Sequence, residues 1–364
     1  MIHIFIGTKA QLIKMAPIMR VLLDKNIEYN FIFSGQHHST IDELLEDFEI
    51  KKPDVILYQG NDITGIFQMA AWMIRLIFYV SKNRNSVWKN DIRGIVLNHG
   101  DTISTLLGTI LAKTSGHKAA HIESGLRSAK IFNPFPEEVI RRLVFKLSDY
   151  LYCPGDWAIN NVKNEGAVKI NTFDNTLLDT LAGTNDDFQT IPYEPDRDFC
   201  VVSIHRFENI FNQGTFALVI NLVKDIAKKI FVVFVLHKPT EKNLRKFDLY
   251  KQLEMDENIY LAQRMIYTSF IALVKRSKFV VTDGGSNQEE CNYLGKPCLI
   301  MRSTTERNDG LGENAVLCDY NEVIIESFIS NIESFRRSKI NRAESPSKII
   351  VNHILSVIQS EKDA

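Results

Sequence analysis

The 364-residue sequence is poor in cysteine, in net charge and in long apolar runs, and each shortage excludes something. Its five cysteines (Cys153, Cys200, Cys291, Cys298, Cys318) are odd in number and lack metal-ligand spacing, so neither a disulfide framework nor a metal site is expected. Four of them lie in or beside apolar runs, which predicts buried free thiols and suits a reducing compartment. The 43 Lys and Arg against 44 Asp and Glu leave a formal charge of −1, which gives no reason to expect nucleic acid or an acidic membrane as the main partner. No internal repeat or low-complexity block is present. The N-terminal MIHIFIGTK has no basic leader region or cleavage site, so no signal peptide is expected and a cytoplasmic location is. One apolar run stands out, ITGIFQMAAWMIRLIFYV at 63–80, interrupted by Gln68 and Arg75 and at the short limit for a membrane span. It reads as a helix buried on nearly all sides, in the core or at a subunit contact, with a membrane-surface role as the rival.

What is present is alternation. Hydrophobic residues make up 45% and charged residues 24%, an ordinary globular composition in a chain long enough for two domains. Short β-rich runs at 2–6, 29–34, 54–58, 94–98, 118–122 and 149–153 are separated by amphipathic stretches such as KMAPIMRVLLDKN, which predicts parallel strands with crossover helices. The pattern lapses into AGTNDDFQTIPYEPDRD and restarts with CVVSIHR, KIFVVFVLH, NIYLA, FVVTDGG and KPCLIM. The expected fold is α/β, with two facing Rossmann-like domains: residues 1–175, a linker at 176–198, and residues 199–345. Residues 346–364 form a closing helix that packs back, with Ser345 as N-cap and Pro346 in its first turn. Two such domains would enclose a cleft lined by strand C-termini, where open α/β sheets bind ligands.

The stretch LNHGDTISTLLGTILAKTSGHKAAHIESGLRS (97–128) leaves Asp101 and Glu123 at the exits of two strands one crossover apart. A third acid, Glu137, opens the helix of NPFPEEVIRRLVFKLSDY behind Pro134 and Pro136. An acid in a first turn also has a plain role as complement to the helix dipole. Three acids converging on one cleft point further, because like charges there raise at least one pKa. In the second domain His205, Arg206 and His237 sit at strand exits, where a lone histidine is more often a structural hydrogen-bonder. Gly284, Gly285 and Ser286 let backbone amides approach a phosphate at a helix N-terminus. Glu290 on that helix suits ribose hydroxyls, and RSTTER adds Arg307. Lys9 and Lys14 stand beside the glycine turn near the N-terminus.

Taken in order, GTKAQLIKMAP, HGDTISTL, HIESGLRS, PFPEEVIRR, HRFEN, TDGGSNQEE, LGKPCLIMR and TTER resemble the UDP-N-acetylglucosamine 2-epimerase family over nearly the whole chain. The resemblance implies a GT-B-type fold, a UDP-sugar substrate, a homodimer and no cofactor. It implies catalytic roles for Asp101, Glu123, Glu137, Arg141 and His205, and nucleotide contacts for Gly285, Glu290 and Arg307. Lys14 matches a retained basic residue. The implied reaction interconverts UDP-GlcNAc and UDP-ManNAc without hydrolysis, serving surface-polysaccharide precursor synthesis.

Several positions depart from the family pattern. Lys9 replaces arginine, Gln11 glutamate, Phe207 arginine, and Asp174 the glycine of Gly-Asn-Thr. Ser-Gly-Gly is permuted to Gly284-Gly285-Ser286, and NDGLGEN follows TTER. Of an activator site found in some members, Gln36, His37, Arg206 and His237 match while Ser39 and Thr40 depart. The alternatives are a hydrolysing epimerase, a glycosyltransferase on the same scaffold, and a non-enzymatic sugar-nucleotide sensor.

Overall fold

The computed structural model describes residues 1–36, 41–60, 62–63, 65–128, 136–184, 195–305 and 307–362; His37, Ser39, Thr40 and Pro134 lie outside the described residues. The chain divides into two compact units, Met1–Gly183 with Arg342–Ala364, and Thr184–Asn341.

In the first unit, strands β1 (Ile2–Ile6), β2 (Tyr29–Phe33), β3 (Val55–Ile56), β4 (Ile95–His99), β5 (Lys118–Ile122), β6 (Tyr150–Cys153) and β7 (Val168–Asn171) form one sheet in the order β3-β2-β1-β4-β5-β6-β7. Every pairing is parallel. The central strands are buried along their length, as sheets covered by helices on both faces require. The second unit repeats the plan with β8 (Phe199–Ser203), β9 (Phe231–Val235), β10 (Ile259–Ala262), β11 (Val280–Thr282), β12 (Cys298–Ile300) and β13 (Ala315–Leu317), in the order β10-β9-β8-β11-β12-β13, again all parallel. In both sheets the winding direction reverses once, between β1 and β4 and between β8 and β11. The crevice at such a reversal, at the strand C-termini, is where doubly wound sheets take their ligands.

The first-unit helices used below are α1 (Lys9–Asp24), α2 (Ile66–Lys82), α3 (Ile103–Thr114), α4 (Glu137–Leu147) and α5 (Leu177–Gly183). Those of the second are α6 (Phe207–Ile210), α7 (Tyr267–Arg276) and α8 (Gly285–Leu294); α9 (Pro346–Lys362) returns to the first unit and packs on α1 and α5. Its start follows the sequence: the Lys348 N–H donates to Ser345 Oγ at 3.2 Å, and Pro346 is the first helical residue. All five cysteines are free and buried.

The apolar run at 63–80 becomes α2, and among its described side chains only one stripe is buried. Trp72, Leu76 and Val80, four residues apart, enter the core with Phe5, Trp88 and Leu107. Ile74 and Phe78 on the other side are 56% and 65% exposed, so burial on nearly all sides does not hold within the single chain. Among the described residues no helix is long and apolar enough to cross a membrane.

Candidate active site

The first group of site residues forms at the C-terminal ends of β1, β4 and β5. β1 runs through Gly7 into α1, where Thr8 is the N-cap and Gln11 closes a capping box. The Gln11 carbonyl accepts from the Gly7 and Thr8 N–H groups at 2.9 and 3.1 Å. Its amide donates to His99 O at 2.8 Å and to Thr105 Oγ1 at 2.9 Å. A glutamate here could cap the helix but has no proton for His99 O when ionised. The departure to Gln11 therefore ties α1 to the end of β4 and to α3.

One turn along α1, buried Lys14 donates to Glu123 Oε1 at 2.5 Å, and Asn175 donates to the same oxygen. Glu123 sits in the left-handed region at φ 65°, uncommon for a residue with a side chain and a frequent mark of functional positions. Its Oε2 lies 3.7 Å from His99 Nε2. Burial, with Lys14 and His121 nearby, holds His99 down to about 3 although Glu123 pulls the other way, so the ring is neutral at ordinary pH. His121 is likewise pushed down by burial, to about 4; its Nε2 reaches Gly100 O at 2.7 Å and its Nδ1 meets Ser124 Oγ at 2.6 Å. Both histidines shape the turns that present the acids.

Asp101 stands one residue before Thr102, the N-cap of α3, and Arg141 of α4 donates to its Oδ2 at 2.5 Å. Arg141 also lies 3.5 Å from Glu138, whose carboxylate is fully buried and takes Arg127 at 2.9 Å, Arg142 at 3.2 Å and the Ser128 N–H at 3.1 Å. Burial opposes that charge, but the Ser128 N–H and the arginines outweigh it and keep Glu138 below the usual carboxylate range. Glu137 differs from its neighbour. It is the first residue of α4, half-buried, and its Oε2 is buried with no hydrogen-bond partner among the described residues.

The second group lies at the ends of β8 and β11. Asp283, 1% exposed, accepts from the His205 N–H at 3.0 Å, the Arg206 N–H at 2.9 Å and Asn209 Nδ2 at 2.9 Å. Its Oδ1 is also 3.4 Å from His205 Nδ1. The His205 ring lies against the His237 ring, tilted by 36° with centroids 4.5 Å apart. A Cβ on Gly284 would meet His205 Cε1 at 2.7 Å, so this glycine lets the imidazole close on the turn. Gly284 caps α8 without a side chain, which leaves the N–H groups of its first turn available to an anion. Ser286 is exposed in that turn. Glu290 is buried one turn on and accepts from Tyr267 Oη at 3.0 Å and Asn287 Nδ2 at 2.8 Å. Arg307 pairs with buried Glu289 at 2.8 Å and lies 3.5 Å from Asp309.

Lys14, Asp101, Glu123, Glu137 and Arg141 thus gather in the first unit, with Lys9 half-buried at the start of α1. His205, His237, Gly284, Gly285, Ser286, Glu290 and Arg307 gather in the second. Asn175, His99, Glu138 and Asp283 were not singled out from the sequence. Asp283 had a usable signal, an acid directly after an apolar strand; Asn175, 52 residues from its partner, had one only as the asparagine of the family's Gly-Asn-Thr. The other departures are also engaged: Asp174 pairs with Arg342 ahead of α9, and Phe207 stacks on Phe211 at 4.3 Å. Gln36 accepts from Ser104 Oγ at 2.7 Å.

His3, Asp91 and His117 cluster at the opposite, N-terminal edge of the first sheet, with potential ligand atoms within 4.8 Å of one another. Their hydrogen bonds argue for a structural role. Asn30, oriented by Val87 O, donates to His3 Nδ1 at 3.0 Å, which puts the His3 proton on Nε2 facing Asp91. The Gly94 N–H donates to His117 Nδ1 at 2.8 Å, so His117 Nε2 carries its proton and has no lone pair for a metal.

The sequence profile of the UDP-N-acetylglucosamine 2-epimerase family matches residues 20–348. A UDP-N-acetylglucosamine 2-epimerase of Neisseria meningitidis is 30% identical over 373 residues, covering 96% of this chain and 97% of its own. One from Methanocaldococcus jannaschii is 29% identical over 343 residues, covering 90% of each chain. Among solved structures, the UDP-GlcNAc 2-epimerase from Neisseria meningitidis bound to UDP-GlcNAc superposes with a TM-score of 0.79 at 28% identity, covering 98% of this chain and 99% of that one.

Proposed function

The chain belongs to the UDP-N-acetylglucosamine 2-epimerase family, and from that premise we propose that it is a non-hydrolysing epimerase interconverting UDP-GlcNAc and UDP-ManNAc. The observation that carries the reading is the unequal treatment of three carboxylates in one unit. Glu123 is gripped by Lys14 and Asn175, Asp101 is tied to Arg141, and Glu137 keeps a buried oxygen without a hydrogen-bond partner among the described residues. Epimerisation at C2 needs that inequality, because a proton leaves one face of the sugar and another arrives on the opposite face.

In the proposed sequence one carboxylate takes the C2 proton while the C1–O bond to UDP breaks, giving 2-acetamidoglucal and UDP. A second group then delivers a proton to the other face of C2 as the diphosphate oxygen re-adds to C1. To His205, fixed through Asp283, and to the open first turn of α8 we assign the binding of the diphosphate. Glu290, held by Tyr267 and Asn287, presents a carboxylate to ribose hydroxyls. The Neisseria structure bound to UDP-GlcNAc supports the substrate class.

Reaction in deuterated water tests the proposal. The expected result is deuterium at C2 of recovered UDP-sugar, with no free ManNAc. Free ManNAc would select the hydrolysing reaction, and turnover without C2 label would refute elimination. The reading extends to a role in supplying surface polysaccharide, to a cytoplasmic location and to a homodimer. The exposed Ile74 and Phe78 of α2 are the apolar side chains we assign to the dimer contact.

A further inference from the structure

The two carboxylate oxygens of Glu123 have different surroundings. Oε1 accepts from Lys14 Nζ at 2.5 Å and from Asn175 Nδ2. The Asn175 amide is locked in that orientation, because its Oδ1 accepts the Leu177 N–H at 3.1 Å. The segment that carries it is fastened to α1: Thr176 Oγ1 donates to Lys14 O at 2.6 Å, and Thr180 Oγ1 to Ile13 O at 2.8 Å. Oε1 therefore faces two fixed donors, one of them a cation. A proton on Oε1 would be driven against both. Oε2 instead faces His99 Nε2 at 3.7 Å.

His99 is 3% exposed, and its Nε2 is buried with no hydrogen-bond partner among the described residues. A buried nitrogen left unpaired is costly and calls for an explanation. The residue is held through its backbone, since Gln11 Nε2 and Thr105 Oγ1 donate to His99 O at 2.8 and 2.6 Å. The 3.7 Å gap points to the tautomer. An Nε2–H facing an ionised carboxylate would be drawn into hydrogen-bond range, whereas two lone pairs stand apart. The ring also hydrogen-bonds its own carbonyl, which needs an N–H, and with Nε2 unpartnered that N–H is on Nδ1. Nε2 is then an acceptor facing another acceptor. A proton between them is what would join the pair.

We propose that Glu123 takes and returns the C2 proton on Oε2, and that His99 Nε2 accepts a hydrogen bond from the protonated form. The proposal rests on the epimerase reading and makes His99 a positioning residue for the base. As the C2–H bond breaks, its electron pair becomes the second C1–C2 bond and the C1–O pair leaves with UDP. The proton forms the Oε2–H bond. That O–H points at a lone pair, so a small side-chain movement closes the gap to an ordinary hydrogen bond. Burial holds the imidazole down to about 3, so the proton stays on the carboxyl and does not pass to the ring. Return of the proton to carbon restores the two facing acceptors.

Two measurements on the full chain test this, and the first does not depend on turnover. Nitrogen-15 NMR of histidine-labelled protein, with His99→Gln identifying the signals, should show His99 Nε2 without a proton at pH 7. A proton on Nε2 would overturn the assignment. Steady-state kinetics supply the second. His99→Phe keeps a planar ring without nitrogens, and should lower kcat about 10- to 100-fold with UDP affinity unchanged. His99→Gln, which can bring a carbonyl oxygen to the place of Nε2, should recover most of that loss. Circular dichroism checks that both variants fold, and His99→Gln with the NMR result decides if His99→Phe does not. Wild-type kcat in His99→Phe, or equal losses in two folded variants, would reduce His99 to a structural residue. Failure of the epimerase reading is seen separately, as wild-type protein that places no deuterium at C2, and would withdraw both.

Discussion

The two units place site residues at equivalent edges of similar sheets, yet they treat carboxylates differently. In the first unit the acids face cations: Glu123 meets Lys14, Asp101 meets Arg141, and Glu138 meets Arg127 and Arg142. In the second, Asp283 and Glu290 are held by neutral donors, namely backbone N–H groups, Asn209, Asn287 and Tyr267, and a cation meets only their neighbour Glu289, through Arg307, among the acids described above. Cations and neutral donors both favour the ionised carboxylate, but only the cation brings net positive charge to the site. Under the proposed elimination and re-addition, the first arrangement is the one assigned to proton transfer and the second the one assigned to holding the ligand.

The strongest way to break this comparison is to remove one acid from each side. Glu123→Gln should lower kcat about 10²- to 10⁴-fold with UDP affinity nearly unchanged. Glu290→Gln should act mainly on KM and on UDP affinity. If steady-state kinetics gave the same kcat-to-KM split for both, the division would be wrong. A comparable contrast lies within α2. Trp72→Glu puts a charge into the core beside Trp88 and should unfold the first unit, while Phe78→Glu on the exposed side should leave the fold intact and shift the proposed dimer towards monomer in light scattering.

Acid separates the units next. In the folded chain His3, His99 and His121 sit at about 4, 3 and 4, below their ordinary 6.5. Each stays neutral in the fold while the unfolded chain takes up a proton below pH 6.5. Their contribution is therefore present above 6.5 and lost as pH falls towards 4, which should cost the first unit a few kcal/mol. Lys296 in the second unit, lowered to about 8, acts in another window, favouring the fold more as pH rises from 8 to 10.5. Trp72, Trp88 and Trp157 all belong to the first unit, so tryptophan fluorescence in urea reports that unit alone. Its midpoint should fall between pH 7 and pH 5, and an unchanged midpoint would count against the buried neutral histidines.

Much of this was legible in the chain because periodicity and punctuation agreed. Strands such as IHIFI and FVVFV are apolar throughout and bounded by polar turns, and Ser345-Pro346 marked the start of α9. β7 and β13 were missed because they are short edge strands whose side chains are only partly buried, so no apolar run announced them. The extent of burial of α2 was misjudged for a related reason: composition gives the hydrophobicity of a helix but not which face finds a partner. In the site, acids at strand exits could be read locally, since a parallel sheet fixes where its strand ends lie. The residues that hold those acids, Asn175 on Glu123 and Asn209 on Asp283 among them, come from distant segments whose convergence only the folded sheet supplies.

The smallest expected effect concerns the most conservative departure. Lys9 opens α1 beside the glycine turn, where the family carries arginine. An ammonium is a strongly hydrated point charge, and a guanidinium offers a planar pair of donors that can hold two phosphate oxygens at once. If the first unit contributes to diphosphate binding through this turn, Lys9→Arg should tighten UDP only several-fold, about 1 kcal/mol, and leave the C2 deuterium pattern unchanged. Calorimetry with UDP on both proteins measures that difference. Loss of epimerisation in Lys9→Arg, with UDP binding preserved, would mean that lysine is fitted to a sugar nucleotide other than UDP-GlcNAc, and would move the substrate assignment while leaving the roles of the two units in place.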